Sequence, residues 1–235
     1  MRRVYRELFD LEGFESFEVS YKKSDLFIKS CSNNRFDVFL KLKDVVSSLE
    51  AYIEKRGEFL TSLKPIGEDK SAPYVAKRMI QAAAVAGVGP MAAVAGAVAE
   101  AIGRFILKSC RECVVENGGD IFLKLDREAR IGVYTSNPHF KDRLAIGIKD
   151  CKDGLGVCSS SATIGPSLSL GRADLAMVID GDCAIADALA TASANMVKSE
   201  GDIEKAMEFV KSRNAKGCLF IKGKKMGIWG NIKLL

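Results

Sequence analysis

The sequence predicts an α+β fold in which antiparallel sheets are covered by helices. Short apolar runs with strand periodicity alternate with longer segments of helical periodicity, in the order ββααββ. The same order returns in the second half of the chain, which indicates an internal repeat. The chain has 235 residues, of which 48% are hydrophobic and 28% are charged, so it is able to bury a sizeable core.

The first predicted unit, about residues 14–126, begins with a hairpin. Residues 17–21 alternate apolar and polar, and residues 26–30 continue as the second strand. A long amphipathic helix follows and ends near Gly57, where a glycine suits the C-cap. Its apolar positions at helical spacing are Phe36, Phe39, Leu40, Val46, Leu49, Tyr52 and Ile53.

The first unit continues with a broken helix and two strands. The helix begins after Pro73, breaks at residues 87–90 and resumes to about Ser109. The strands are predicted at residues 113–116 and 121–125. A turn joins them, so they form a second hairpin.

The second predicted unit, about residues 155–235, repeats this order. Its strands are expected at 156–163, 175–179, 218–222 and 226–233, and its helices at 184–197 and 203–213. A further strand pair lies between the units at 130–148. We therefore expect residues 1–235 to form a single domain of two related sheets, with a ligand cleft between the halves.

Charge and hydropathy exclude several classes of protein. The formal net charge is only +5, and the short cluster at residues 222–225 is expected to be a solvated hairpin turn, so no nucleic-acid partner is predicted. Residues 82–102 are long enough to cross a bilayer, but they are rich in Ala and Gly and include Glu100. A buried helix pair is the preferred interpretation. The charged start of the chain has no secretory leader, which favours the cytoplasm.

The seven cysteines are predicted to be reduced thiols. Their number is odd and their spacing irregular, unlike a disulfide framework. Cys110-Arg111-Glu112-Cys113 is a lone C-x-x-C without the second pair that a tetrahedral zinc site needs. We expect buried thiols at these positions.

The pair Asp187 and Thr191 is the first candidate for ligand chemistry. On a helix, residues four apart lie on one face, one turn from each other. A carboxylate and a hydroxyl at that spacing can share a Mg²⁺ ion, which prefers oxygen ligands. The alternative is an ordinary Ala-rich helix with a capping aspartate.

The segment Asn117-Gly118-Gly119-Asp120 is the second candidate. Paired glycines allow positive φ and a close backbone approach, so amides can meet a phosphate or a ring edge while Asp120 accepts hydrogen bonds. A tight hairpin turn is the alternative. Glu116, just before it, is a further candidate for a ring ligand, or simply a charge at a strand end.

A serine-rich segment is the third candidate. Ser159, Ser160, Gly165 and Ser167 can position a ligand, but they do not readily move protons. A polar strand edge and turn is the alternative. The single histidine, His139, has no nucleophile motif beside it and is expected on a surface loop.

These motifs together resemble the ApbE-like superfamily of flavin transferases, which attach FMN from FAD to a protein Thr or Ser. The Ala/Gly-rich residues 83–100, the Gly-Gly-Asp turn and the segment Ala186-Asp187-Ala188-Leu189-Ala190-Thr191-Ala192 follow in that superfamily's order and approximate spacing. The resemblance implies a tandem T-fold. It also implies that Asp187 and Thr191 hold Mg²⁺ against the FAD pyrophosphate, with a main-chain carbonyl near Ala93.

The chain departs from the transferases at two positions. It has Val94-Ala95-Gly96 where they have Ala-Lys-Gly, and the loop at 164–169 where they have a catalytic His and Asp-Pro-x-Thr-Gly. Losing such groups typically costs about 10²–10⁴-fold in rate, so the usual FMN transfer is not expected. The chain looks more like a smaller uncharacterised branch of the superfamily.

The preferred hypothesis is a Mg²⁺-dependent enzyme that acts on a nucleotide-type or heteroaromatic small molecule, FAD or a related compound. A non-catalytic flavin or nucleotide binder is the first alternative, and an enzyme for a purine or pterin is the second. A structural partner protein is the third, and it would carry a large exposed apolar patch. A homodimer is the expected assembly.

Overall fold

An antiparallel sheet of eight strands is the centre of the fold. The structure is a computed structural model that describes residues 13–141, 144–161 and 171–235. Its strands are β1 (Glu15–Tyr21), β2 (Ser24–Ser30), β3 (Cys113–Asn117), β4 (Asp120–Lys124), β5 (Ala129–Val133), β6 (Leu144–Ile148), β7 (Leu155–Ser160), β8 (Leu175–Asp180), β9 (Gly217–Lys222), β10 (Lys225–Gly230) and β11 (Lys233–Leu234). The large sheet has the order β1-β2-β3-β4-β7-β8-β9-β10, and a smaller sheet has the order β11-β6-β5.

The described residues include six α-helices, which form a layer on one face of the large sheet. They are α1 (Arg35–Lys55), α2 (Gly57–Thr61), α3 (Tyr74–Ala86), α4 (Val94–Ile106), α5 (Cys183–Met196) and α6 (Ile203–Ser212). Because side chains alternate along a strand, Val115 and Phe122 pack against the helices, while Val114 and Leu123 pack against the smaller sheet. The fold therefore has three layers and two apolar cores.

The predicted α+β class is confirmed, but the prediction of two separate sheets is wrong. Strands β4 and β7 pair antiparallel, with Ile121, Phe122 and Leu123 opposite Val157, Gly156 and Leu155. This pairing joins the strands of both halves into one sheet. We call the β4–β7 contact the seam. It joins residues that are more than 30 apart in the chain, so periodicity within each strand does not reveal it.

Helix α1 buries only part of the predicted face. Val46, Leu49 and Tyr52 are buried as predicted, and Phe39 and Ile53 pack partly buried against the core. Phe36 and Leu40 are 71% and 47% exposed. The residues that face the core are Val38, Leu42, Val45, Val46, Leu49 and Tyr52. The helix also ends at Lys55, and Gly57 begins α2 instead of capping α1. The branched and smaller aliphatic residues form the stripe, and Phe36 lies in the first turn, at the exposed end of the helix.

The predicted helix break at residues 87–90 is confirmed. Gly87 ends α3 with a φ of 75°, a conformation that favours glycine, and a 3₁₀ turn at Pro90–Ala93 leads into α4. Among the described residues, no single helix is long and apolar enough to cross a membrane. The segments Tyr74–Ala86 and Pro90–Ile106 pass that test only as a pair, and they are bent by 104° at the break.

Cys31 and Cys110 form a disulfide, so the prediction that all cysteines are thiols is wrong. The bond joins the residue after β2 to the segment before β3, with a Cα–Cα distance of 5.8 Å. These strands are antiparallel neighbours, and Ser30 pairs with Cys113. An odd cysteine count does not exclude one pair, and the sequence does not show which distant cysteines meet. The other five are buried thiols, as predicted.

Candidate functional site

The candidate site lies at the seam, where the first turns of α4 and α5 approach the sheet. Asp120 begins β4, and Asp187 lies one turn into α5; both side chains are buried. The two residues belong to different halves of the chain. The described structure therefore brings together two acidic residues that the sequence analysis had selected separately.

Helices α4 and α5 cap each other. The backbone N–H of Gly96 donates to Oδ2 of Asp187 at 2.9 Å, and the N–H of Cys183 donates to Oε2 of Glu100 at 2.8 Å. Glu100, which caps α5, lies four residues after Gly96 in α4. Asp187, which caps α4, lies four residues after Cys183 in α5. The first amides of a helix lack intrahelical partners and carry partial positive charge, so both contacts stabilise the helix ends.

The crossing of α4 and α5 requires glycine at position 96. A Cβ on Gly96 would lie 2.8 Å from Cβ of Asp187 and closer still to the carbonyl oxygen of Cys183. Any larger residue would push the helices apart. The small residues of α4 therefore allow α5 to approach closely, and this approach positions Asp187.

The segment from Asn117 to Asp120 is a tight hairpin turn between β3 and β4. Gly118 and Gly119 have φ values of 68° and 106°, and a Cβ on either would meet nothing within 4 Å. The N–H of Gly119 donates to Oε1 of Glu116 at 2.7 Å, and Nδ2 of Asn117 donates to the carbonyl oxygen of Ala95 at 3.1 Å. Asn117 thus connects the hairpin to the start of α4, and the two glycines of the hairpin border open space.

The two buried carboxylates have perturbed pKa values. Burial raises the pKa of Asp120 to about 7, although hydrogen bonds from the Ser159 N–H, at 3.1 Å from Oδ1, and from the Cys158 thiol oppose the shift. Burial and then the charge of Asp120 raise the pKa of Asp187 well above its usual range, against the N–H groups of Gly96 and Ala95. Among the described residues, neither carboxylate contacts a Lys, Arg or His side chain.

Two buried thiols lie next to these carboxylates, and no motif in the sequence predicted them there. The sulfurs of Cys158 and Cys183 are 3.5 Å apart. Cys158 also lies 3.4 Å from the carbonyl oxygen of Cys183, and Cys183 lies 3.5 Å from that of Ile121. Burial raises the pKa of both thiols, for Cys183 to about 11. The spacing of Cys183 and Asp187, four residues apart at the start of a helix, could have indicated that Cys183 lies near Asp187.

The remaining candidates lie at different distances from the carboxylates. Thr191 is one helical turn after Asp187 and is half-buried. Ser159 contacts Asp120 through its N–H, and Ser160 is buried at the end of β7. Gly165 and Ser167 lie outside the described residues. His139 is exposed in a turn, as predicted.

The donors present suit a hard cation with few protein ligands. Within residues 13–141, 144–161 and 171–235, no group of three His, Cys, Asp or Glu side chains is arranged to hold a metal. Mg²⁺ usually takes one or two carboxylates and completes its shell with water and substrate phosphates. Asp187 and Asp120 bring two carboxylates close together, and Thr191 stands one helical turn after Asp187, so the residue types present are those that Mg²⁺ accepts.

Comparison with known proteins gives a consistent family. A family model described as "AbpE bacteria" matches residues 6–211. A UPF0280 protein of Methanothrix thermoacetophila is 43% identical over 163 residues, which are 69% of this chain and 68% of that protein. A UPF0280 protein of Archaeoglobus fulgidus is 36% identical over 226 residues, 93% of each chain.

Solved structures of similar fold are flavin transferases. The apo form of the flavinyl transferase ApbE from Pseudomonas stutzeri superposes with a TM-score of 0.64 at 12% identity, over 92% of this chain and 93% of that one. The flavin transferase ApbE from Vibrio cholerae gives 0.53 at 13% identity, over 92% and 97%. The chain shares their fold, and by its sequence it belongs to the AbpE bacteria family together with the archaeal UPF0280 proteins.

Proposed function

We propose that this protein binds FAD, or a related nucleotide or heteroaromatic small molecule, together with Mg²⁺ at the seam, and that it acts on this ligand as an enzyme. One observation supports the proposal most strongly. Two buried carboxylates, Asp120 and Asp187, lie close together without a cationic side chain among their described contacts. The fold of flavin transferases supports the choice of a flavin nucleotide as the first ligand to test.

A bound cation would offset an unfavourable pair of charges. Burying a carboxylate without a counter-charge is costly, and a second carboxylate nearby adds repulsion. In the proposal, Asp187 and Thr191 hold Mg²⁺, and Asp120 lies beside it. The ion would supply positive charge to pyrophosphate oxygens when bound.

The other groups at the site would orient the ligand. The open space beside both turn glycines allows a phosphate or a ring edge to approach the backbone. The N–H of Ser159 keeps Asp120 in place. Asn117 holds the turn against α4, so the distance between the turn and Asp187 is fixed by the fold.

A non-catalytic binding protein is the second candidate, and a specific feature favours it. Ala95 occupies the first turn of α4 beside Asp187, where the resemblance places a lysine. His139, the one histidine of the chain, lies in an exposed turn. General acid and base help from Lys or His is therefore missing from the described contacts of the carboxylates.

The binding experiment comes first. Purified protein is titrated with FAD by fluorescence, with Mg²⁺ or with a chelator. Asp187→Asn keeps an oxygen that can cap α4 but removes the charge, and Asp153→Asn makes the same change on an exposed turn. We expect Mg²⁺-dependent binding that Asp187→Asn weakens at least tenfold and Asp153→Asn leaves unchanged.

Turnover distinguishes the two candidates. Hydrolysis of the pyrophosphate bond of FAD by water, which gives FMN and AMP and is detected by chromatography, would support the enzyme. Unchanged FAD after long incubation would support the binder. FAD binding that is indifferent to chelator and to Asp187→Asn would exclude the cation site. If FAD does not bind at all, purines and pterins are the next ligands to test.

A further inference from the structure

The structure gives a role to the buried thiol of Cys158. We propose that Cys158 is a positioning residue, whose S–H donates a hydrogen bond to the carboxylate of Asp120 and holds it at the seam beside Asp187. The inference rests on the proposed function in one respect, because the benefit of a fixed Asp120 is the binding of a cation and its ligand.

The strand register places these two side chains opposite each other. Ile121 pairs with Val157 across the seam, so the next position pairs Asp120 with Cys158. Both side chains point to the helical layer, because their neighbours Ile121 and Val157 point to the smaller sheet. Directly opposed residues of antiparallel strands have Cβ atoms about 4.5–5.5 Å apart, which is within reach of a thiol–carboxylate contact.

The surroundings of Cys158 orient its hydrogen toward an acceptor. The thiol has three among the described residues: the carboxylate of Asp120, the carbonyl oxygen of Cys183 at 3.4 Å and the sulfur of Cys183 at 3.5 Å. When Asp120 is ionised, the hydrogen bond to its carboxylate is the strongest of the three. Cys183 in turn donates to the carbonyl oxygen of Ile121, which fixes the start of α5 against β4.

Both thiols act as donors and not as nucleophiles. Burial raises the pKa of Cys158 and Cys183, so each keeps its proton at neutral pH. Tight packing also holds Cys183 in place, because a Cβ on Gly156 would lie 2.9 Å from Cβ of Cys183. A fixed donor is what a positioning role requires.

The test compares three variants of the full chain. Cys158→Ala removes the donor, and Cys158→Ser replaces it with a hydroxyl of similar size. Cys218→Ala is the matched control, because Cys218 is also a buried thiol on the helical face of the large sheet, and no hydrogen bond connects it to Asp120 among the described residues. Binding of Mn²⁺, as a probe for the cation, is measured by electron paramagnetic resonance, with and without FAD.

We expect Cys158→Ala to weaken Mn²⁺ binding about tenfold, the order of one hydrogen bond to a charged group. Cys158→Ser should stay within about threefold of the unmodified protein, and Cys218→Ala should not change the affinity. Unchanged binding in Cys158→Ala would overturn the proposal. Equal losses in the Ala and Ser variants would also overturn it, because volume and not the donor would then matter.

A second readout does not depend on any ligand. The S–H stretching band of Cys158 is identified in the infrared spectrum of the ligand-free protein as the band that Cys158→Ala removes. The spectra are compared at a pH above the pKa of about 7 that burial gives Asp120, so that its carboxylate is ionised. We expect Asp120→Asn to shift this band to higher frequency, because an amide oxygen is a weaker acceptor than a carboxylate. A band that does not move would overturn the hydrogen bond. A shift without Mn²⁺ or FAD binding would refute the proposed function alone.

Discussion

Breaking the Cys31–Cys110 disulfide should lower the stability of the protein markedly. The bond closes a loop between residues 79 apart in the sequence. In the chain-entropy model, a loop of that length removes about 15 cal/mol/K from the unfolded chain, or about 4.5 kcal/mol at 25 °C. A domain of this size changes its melting temperature by about 2–4 °C per kcal/mol, so we expect a decrease of roughly 9–18 °C.

The assay is thermal unfolding, followed by circular dichroism, of three samples: the oxidised protein, the protein reduced with dithiothreitol, and Cys31→Ser. The reduced protein and the variant should melt at the same lower temperature, and the reductant should not affect the variant further. Alkylation under denaturing conditions, read by mass spectrometry, should modify five cysteines before reduction and seven after it.

Alkylation of all seven cysteines without reductant would show that the disulfide does not form. Three melting temperatures that agree within about 2 °C would show that the disulfide does not stabilise the fold. Cys151→Ser, which changes a buried thiol far along the chain, is the control for the loss of any cysteine. Its melting temperature should still decrease on reduction.

Three further predictions concern packing and charge. Gly96→Ala should cost about 1–3 kcal/mol in urea unfolding, since its Cβ overlaps the neighbouring helix, whereas Gly201→Ala, with only one atom nearby at 3.7 Å, should change stability far less. The metal-free protein should lose stability as pH rises from about 4 to 7, because burial raises the pKa of Asp120 to about 7 and the folded state then binds more protons than the unfolded state. Melting curves of Asp120→Asn should show a smaller decrease. An equal decrease would contradict the raised pKa of Asp120. Phe36→Ser should change the free energy of unfolding by less than about 0.5 kcal/mol, whereas Leu42→Ala should lower it by about 2–5 kcal/mol. A larger loss for Phe36→Ser than for Leu42→Ala would mean that Phe36 faces the core.

Local patterns predicted the elements of the fold well, and distant contacts account for the errors. The hairpin β1–β2, the broken helix and the strands on either side of the Gly-Gly turn follow from periodicity and turn residues within short windows. The seam and the Cys31–Cys110 bond join residues that are distant in the chain. No periodicity within a segment specifies such a pairing, so the sequence could not show that the strands form one sheet.

The burial of Phe36 and Leu40 in α1 was mispredicted for a different reason. The sequence offers two overlapping apolar stripes, one with Phe36 and Leu40 and one with Val38 and Leu42. Hydrophobicity alone does not distinguish them, because the choice depends on where the helix begins relative to the sheet. The helix packs with its aliphatic stripe inward, and its first turn leaves Phe36 exposed.

The candidate site was only partly accessible to sequence reasoning. Motif spacing selected Asp120 and Asp187, and the structure places both at the seam. The mutual capping of α4 and α5 was missed, because it depends on an antiparallel approach of two helices that only Gly96 permits. Cys158 was missed because a buried thiol in an apolar strand has no distinctive pattern.

The mutual capping also has a consequence for how such a protein could evolve. Asp120 and Glu100 come from the first half of the chain, and Cys158 and Asp187 come from the second. A gene duplication that joined two ancestral halves would create this arrangement once, at their junction, since among the described residues the outer strands β1 and β10 have no further strand to pair with. After the fusion, neither half could change its acidic residue without uncapping a helix of the other. Substitutions at these capping positions in the two halves would therefore have to occur together.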